Sequence, residues 1–446
     1  MTSARRRQAV VVGAGIAGVT AARVLADRFD RVLVLERDPE VTPRPHVPHQ
    51  PHTHVLGTHG YRALCRLFDG LEEELAEAGA PRFDFGECPF FAGQWAPRQP
   101  FGLVSRSCTR PLLERLLRRR LATRSNVELL TRQRVRGYVL EGERVVAVRF
   151  EDDRELGADL VVDAAGVGSK TPEWIARHGF PAPDRSEVDL HGGVVSQLFR
   201  PAPGRGRGWV ILNVRRSADN YRHGVISWVE DGLWRVSLWG VAGVRPSREL
   251  PGFLAFARAM RTPIIAELLE GAEPVSAAAH YANSWSRWLR YDRLPRFPDG
   301  LVVVGSATFH PNYEHGQGMT FCVMTAELIG EHVDHHGLGV RGGSSLQFQR
   351  AQAALLAPWW EWNLSAELTV PGLDAGPQPR AAMLQHRYFR MMREAGARDA
   401  DVWKAVLEVN QAMRPPSSLL HPSLLWRALR QRGQPPPSDN ARVLLE

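Results

Sequence analysis

A chain of 446 residues, 44% hydrophobic and 23% charged, has the make-up of a globular protein of two or three domains. No apolar run approaches the roughly 20 residues that a membrane-spanning helix needs. The formal net charge of +8 does not read as a nucleic-acid surface, because the cations are almost all arginine and their densest cluster, residues 115–120, falls on a helical pattern as a solvated face; attraction of an anionic substrate or carrier stays open.

Lysine stands only at Lys170 and Lys404, and the four cysteines (Cys65, Cys88, Cys108, Cys322) are far apart with no C-x-x-C. That usage predicts reduced thiols and a cytoplasmic protein. Residues 1–7 are basic but lead directly into a strand pattern, so they do not read as a secretory signal.

The chain is organised around residues 9–38, AVVVGAGIAGVTAARVLADRFDRVLVLERD. An apolar run at 9–12 predicts a buried parallel strand. Gly13, Gly15 and Gly18 follow in G-x-G-x-x-G spacing, then a helical pattern, then a second strand at 32–35 ending in Glu36. Gly13 permits a tight turn, Gly15 lets the backbone approach a pyrophosphate, and Gly18 lets helix and strand pack closely. The helix start offers free N–H groups and partial positive charge to phosphates. Glu36 lies where an acid accepts hydrogen bonds from a ribose diol. Flanked by both strands, this motif predicts a dinucleotide site.

The following loop, 42–60, carries His46, His49, His52, His54 and His59. It has no carboxylate or thiolate, and its prolines space the imidazoles along an extended chain, so no metal is assigned to it. One helix is predicted over 61–78, then an irregular aromatic stretch with Trp95. Thr109 and Pro111 open another helix, with Arg110 at its start. Strand patterns at 127–130, 134–140, 145–150 and 159–164 lead into Gly166. From 181 to 280 alternating strands dominate, predicting an antiparallel sheet that walls a ligand cavity. The tryptophans at 95, 209, 228 and 234 are read as core rather than substrate platform. A buried strand at 301–304 delivers Gly305-Ser306 and a loop before a helix over 319–332. Beyond 345 the pattern is helical and rich in tryptophan and methionine, with a frayed tail around 435–437.

Taken together, Arg44, Val47, Pro48, His52 and His54 in the loop, Asp163 to Gly166, and Gly305 through Pro311, Tyr313, Gly316 and Gly318 resemble the FAD-dependent monooxygenases built like para-hydroxybenzoate hydroxylase. The nearer match is the branch of bacterial polyether epoxidases, of which the lasalocid epoxidase is one; His46 and His49 replace that branch's usual glycine and glutamine. The resemblance implies an α/β fold: a Rossmann-type FAD-binding domain in two pieces, 1–180 and 286–345, an inserted antiparallel β-sheet substrate domain at 181–285, and a C-terminal helical region at 346–446. It implies FAD contacts at Gly13, Gly15, Ala17, Gly18, Glu36, Arg37, Arg44, Arg110, Asp163, Gly166, Gly305, Ser306, Pro311, Gly316, Gly318 and Met319. Arg44 and Arg110 are expected near the flavin or its phosphates. His310, Tyr313, Glu314 and His315 fall where the late loop approaches the ring and are the candidate proton donors.

The implied activity transfers one oxygen atom from a flavin C4a-hydroperoxide to a hydrophobic natural product, most simply as alkene epoxidation or as hydroxylation. O2 and NAD(P)H, or a separate flavin reductase, are the implied partners. One departure stands out: the family's usual Gly-Asp is Gly305-Ser306 here, which weakens a charge-assisted bond to the ribitol into a neutral one. Two other readings follow: a non-oxygenating dehydrogenase or reductase, or a redox-silent cyclase or binding protein. A flavin halogenase shares the first motif, but no lysine precedes Lys170, and Trp360-Glu361-Trp362 lacks the following Ile-Pro of W-x-W-x-I-P.

Overall fold

The computed structural model describes residues 7–39, 44, 47, 49–370, 372–373, 376, 380–431 and 445; His46, Pro48 and the 435–437 tail lie outside them. Five strands form a parallel sheet in the order Leu301–Val303, Leu160–Asp163, Gln8–Val12, Arg31–Leu35, Val127–Leu130. The apolar runs read from the sequence are buried on both faces, as a central parallel sheet requires. Val11, Val34, Val162 and Val302 meet the layer containing the helices Ile16–Ala26 and Gly318–His336. Val10, Leu33, Val161 and Val303 meet the opposite layer, a three-stranded sheet (Val135–Glu141, Arg144–Phe150, Glu155–Gly157) and the helix Thr171–Arg177.

The predicted antiparallel sheet is present, with the path Glu273–Pro274, Gly193–Arg200, Leu233–Gly240, Arg222–Val229, Ile211–Val214. It gains an edge strand the sequence did not show: Phe90–Phe91 pairs in parallel with Asn213 and Val214. Strand alternation gives the sheet two faces. Val195, Leu212, Ile226 and Leu238 pack with the helices Leu250–Arg258 and Ile264–Leu268. Val194, Val225, Ser237 and Trp239 face a cavity toward the parallel sheet.

A second difference is local. The helix expected over 61–78 is two helices, Thr58–Leu67 and Leu71–Glu77, broken at Gly70 with φ 75°. That left-handed residue re-aims the chain so that Leu71 and Leu75 are buried. The C-terminal helices Ser344–Glu367, Arg380–Gly396, Ala400–Asn410 and Pro422–Arg430 bury Trp359, Trp362, Met392 and Trp403 in a core of their own. All four cysteines are unpaired. Among the described residues no helix is long and apolar enough to cross a membrane.

Candidate functional site

A cavity of about 620 Å³ runs from Gly13 and Glu36 to the inner face of the antiparallel sheet. At its first end the Gly13 amide donates to Leu35 O at 2.7 Å, closing the turn. A Cβ on Gly18 would lie 1.8 Å from Gly13 O, so only glycine lets helix and turn approach this closely. Glu36 accepts from the amides of Ala14 (3.0 Å) and Asp38 (3.0 Å) and from Arg44 Nη1 (3.1 Å). Arg44 is buried and also forks onto both oxygens of Glu114 at 2.8 Å each. Its Nη2 lies 3.7 Å from the point where a Gly15 side chain would begin, which places Arg44 at the phosphate turn.

Glu114 is held in addition by Arg110 (2.8 Å) and approached by Arg118 (3.8 Å), which itself donates to Ala14 O. Burial alone would raise the Glu114 carboxyl; the guanidinium groups of Arg110 and Arg44 outweigh it and hold the group below its ordinary value. Three arginines thus share two carboxylates beside a glycine turn and a helix N-terminus, and the surplus positive charge suits a pyrophosphate.

At the other end of the nucleotide half, Gly305 takes φ 60°, and a Cβ there would meet Ala17 Cβ at 2.7 Å. Gly18 and Gly305 therefore act by packing behind the cavity wall. Gly13, Gly15, Ala17, Glu36, Arg37, Arg44, Arg110, Asp163, Gly166, Ser306, Pro311, Gly316, Gly318 and Met319 all line the cavity. The Asp163 carboxylate is committed to its own turn, accepting from Ala165 N (2.9 Å), Ser169 Oγ (2.5 Å) and Thr171 Oγ1 (2.5 Å); it shapes the 164–168 backbone that borders the site. Ser306 Oγ is bonded to His310 Nδ1 at 3.1 Å. The helix Gly318–His336 starts at the same wall, so two helix N-termini open into one cavity. Glycine turn, cation surplus and paired helix ends fit the phosphates and polar ring edge of FAD.

The four candidate proton donors come together, but in different states. Glu314 is enclosed, paired with Arg215 at 2.8 Å and Arg216 at 3.0 Å, with His223 at 3.7 Å. Burial would raise its carboxyl, and Arg216 first, then His223 and Arg215, hold it instead well below its ordinary value, so it is an anionic clamp and no acid. His315 Nε2 is bonded to Glu367 at 2.9 Å, a carboxylate that also accepts from Ser286 Oγ at 2.6 Å. Burial, then the charges of Arg287 and Arg110, push His310 down to about 4, so its imidazole is neutral. Burial raises the Tyr313 phenol, whose oxygen has no hydrogen-bond partner among the described residues and whose ring meets Trp239 edge-on at 6.0 Å.

The histidine loop turns inward, which the sequence did not reveal. His52 Nδ1 bonds Ser196 Oγ (2.7 Å), Ser196 bonds Ser237 (2.6 Å), and Ser237 bonds Thr53 Oγ1 (2.7 Å). His54 bonds His52 O at 2.9 Å and lies 3.3 Å from Arg110 Nη1. Burial, then Arg110, holds His49 and His54 well below the ordinary imidazole value; burial, then Arg235, brings His52 to about 4. Neutral imidazoles thus line the chamber, and among the described residues no cluster of three or more His, Cys, Asp or Glu could hold a metal ion. Phe90, Val194, Ile211, Val225, Trp239 and Tyr281 supply apolar wall. Trp209 and Trp234 are core, with Trp95 and Trp228 packed against it. Trp239, His223 and Arg215 were not singled out by sequence; the first two had only the alternation of their strands as a signal, and Arg215, just past the strand Ile211–Val214, had none.

A family profile described as FAD dependent oxidoreductase matches residues 8–171. Protein Rv3254 of Mycobacterium tuberculosis (strain ATCC 25618 / H37Rv) is 32% identical over 392 residues, covering 83% of this chain and 82% of that protein. Three solved structures share the fold at low identity. A flavoprotein/dehydrogenase from Cytophaga hutchinsonii is 15% identical with TM-score 0.68, covering 98% of both chains. PqsL of Pseudomonas aeruginosa, solved with 2-aminobenzoylacetate, is 15% identical with TM-score 0.65, covering 82% of this chain and 97% of its own. The myxobacterial chondrochloren halogenase CndH is 18% identical with TM-score 0.62, covering 91% and 97%. Site and comparisons agree: the chain belongs to the FAD-dependent oxidoreductase family.

Proposed function

We propose that this flavoenzyme is a monooxygenase that adds one oxygen atom to a hydrophobic substrate, with alkene epoxidation as the leading reaction and hydroxylation as its near variant. The observation that carries the reading is one continuous cavity joining the FAD site to an apolar chamber walled by Phe90, Val194, Ile211, Val225 and Trp239. Glu314 is locked as an anion, and His310 and His52 are neutral. An electron-rich alkene needs neither general acid nor base, whereas many other oxidations profit from one. When bound, FAD would supply the redox chemistry, with NAD(P)H or a reductase as the electron source and O2 as the oxygen source.

The chain's own groups bind, orient and exclude water. Arg44, Arg110 and Arg118 would hold the phosphate end of FAD, and the Gly318–His336 helix end and the Ser306 hydroxyl would hold the opposite end, while Phe90, Val225 and Trp239 keep the chamber dry. The antiparallel sheet thereby serves as the substrate domain. The test is turnover of the FAD-loaded protein with a reductant and a panel of terpenoid and polyketide alkenes under oxygen-18 gas. One labelled oxygen in the organic product is the expected result. Oxygen uptake that yields only hydrogen peroxide with every alkene, together with anaerobic turnover by an artificial acceptor, sinks it in favour of a dehydrogenase.

A further inference from the structure

Away from the cavity, the C-terminal region presents apolar side chains to solvent. Leu420, Leu425, Trp426 and Leu429 are 61, 37, 57 and 45% exposed, and Met383 and Leu384 are 55 and 66% exposed. The helix Pro422–Arg430 turns Ala428 and part of Leu424 inward, leaving Leu425 and Leu429 one turn apart on an outer side. The patch continues onto a second helix: Tyr388 donates to Leu419 O at 2.5 Å, and Leu384 lies one turn before Tyr388. Single exposed leucines need no explanation, but a group including a tryptophan does.

The charge around the patch identifies what it fits. Residues 380–430 contain nine Lys and Arg against four Asp and Glu, an excess of five in a chain whose total is +8. Arg390, Arg414 and Arg427 pair with nearby acids. Among the described residues Arg387, Lys404 and Arg430 pair with none. The Arg430 guanidinium lies 4.1 Å from the Trp426 ring, an apolar plane topped by a cation. A second copy of this chain is disfavoured, since a two-fold contact would set the basic patch against itself. Apolar side chains with two unpaired cations among them, Arg430 on Trp426 and Arg387 one turn from Leu384, complement an anionic lipid surface.

We infer that the Pro422–Arg430 helix and the adjoining Leu384 and Leu420 dock the protein reversibly on anionic bilayers. Leu425, Trp426 and Leu429 enter the headgroup boundary while Arg430 and Arg387 meet lipid phosphates. This is independent of the reaction proposed above. The experiment is sedimentation of the full-length holoprotein with vesicles of equal phosphatidylglycerol and phosphatidylcholine, against phosphatidylcholine alone. Binding to the anionic vesicles is expected to be about tenfold stronger and to weaken severalfold in high salt. The triple variant L425S/W426S/L429S is expected to lose about tenfold in binding while keeping its flavin absorbance. R430E, a single exposed change, is expected to lose severalfold and serves if the triple variant misfolds. Three results would each overturn the inference: no wild-type binding to anionic vesicles, equal binding by wild type and R430E, or light scattering that shows a dimer which R430E dissociates.

Discussion

The molecule contains two buried carboxylates clamped by arginines, one in each half, and they do different work. Glu114, in the nucleotide half, pairs with Arg44, Arg110 and Arg118 and shares Arg44 with Glu36 beside the Gly13–Gly15 turn. Glu314, at the chamber, is enclosed by Arg215 and Arg216, and Arg216 also donates to Thr369 Oγ1 and Ala366 O at 3.0 Å each. Both clusters hold one more arginine than carboxylate, but the first sits beside a glycine turn and a helix N-terminus and so suits an incoming anion. The second ties the sheet, the 312–316 turn and the long helix Ser344–Glu367 into one wall. The same pairing is a binding device where the backbone stays open and a structural weld where it does not.

Acid should separate the two halves most strongly. His52, His223 and His310 are each held at about 4, first by burial, against about 6.5 unfolded. An unfolded state that binds more protons makes stability rise with pH, so their contribution is full above 6.5 and is lost as pH falls toward 4. The loss is on the order of 3 kcal/mol for each imidazole. All three belong to the chamber. Glu114 and Glu314, held low, contribute above the unfolded carboxylate value and weaken only below about 4.3. Denaturant titrations from pH 7 to 4 should show stability falling from about 6.5, and His52→Asn should flatten that slope by about one proton. A profile flat down to 4.5 would contradict the neutral, buried imidazoles.

Next in size are the clamps themselves. Glu314→Gln and Glu114→Gln each leave buried guanidinium groups without a counter-ion and should cost roughly 3–5 kcal/mol. Their second readout differs. Glu114→Gln should alter FAD retention, read as flavin absorbance after gel filtration. Glu314→Gln should keep the flavin and lose product formation. Equal flavin loss in both variants would mean that the halves are not separable. Gly18→Ala tests the nucleotide half alone: its Cβ would sit 1.8 Å from Gly13 O, and the forced backbone shift should cost about 1–3 kcal/mol and empty the FAD site.

The nucleotide half was readable because its rules are local. Residues 9–12, 32–35 and 301–303 are uniformly apolar, as a sheet covered on both faces demands, and the glycine spacing is dictated by backbone approach. The chamber depends on pairings that no local pattern carries. Glu314 reads as a candidate acid until Arg216, 98 positions earlier, is brought against it. His52 reads as one imidazole in a proline-spaced loop until Ser196, 144 positions later, is brought within hydrogen-bond distance of it. Phe90–Phe91 is too short to show strand alternation and becomes a strand only because Asn213 and Val214 lie beside it. The broken helix at Gly70 was missed for a smaller reason: periodicity continues across a glycine whose φ of 75° interrupts the backbone.

The smallest expected effect bears on the residue where the two halves meet. Ser306 stands where an aspartate is usual in the resembling enzymes, and its hydroxyl is bonded to His310 at 3.1 Å. If that hydroxyl also serves the ribitol of FAD, Ser306→Ala removes about 1 kcal/mol and weakens FAD about fivefold. Ser306→Asp makes the bond charge-assisted and tightens FAD by a similar factor, while the new carboxylate raises the His310 value from about 4. Both dissociation constants are accessible from quenching of flavin fluorescence. Opposite shifts in the two variants, with His310 titrating at higher pH only in Ser306→Asp, assign the serine to both halves. If Ser306→Ala binds FAD as the wild type does, the hydroxyl belongs to His310 alone, and retention of the cofactor rests on the arginine-rich phosphate end and the glycine turns.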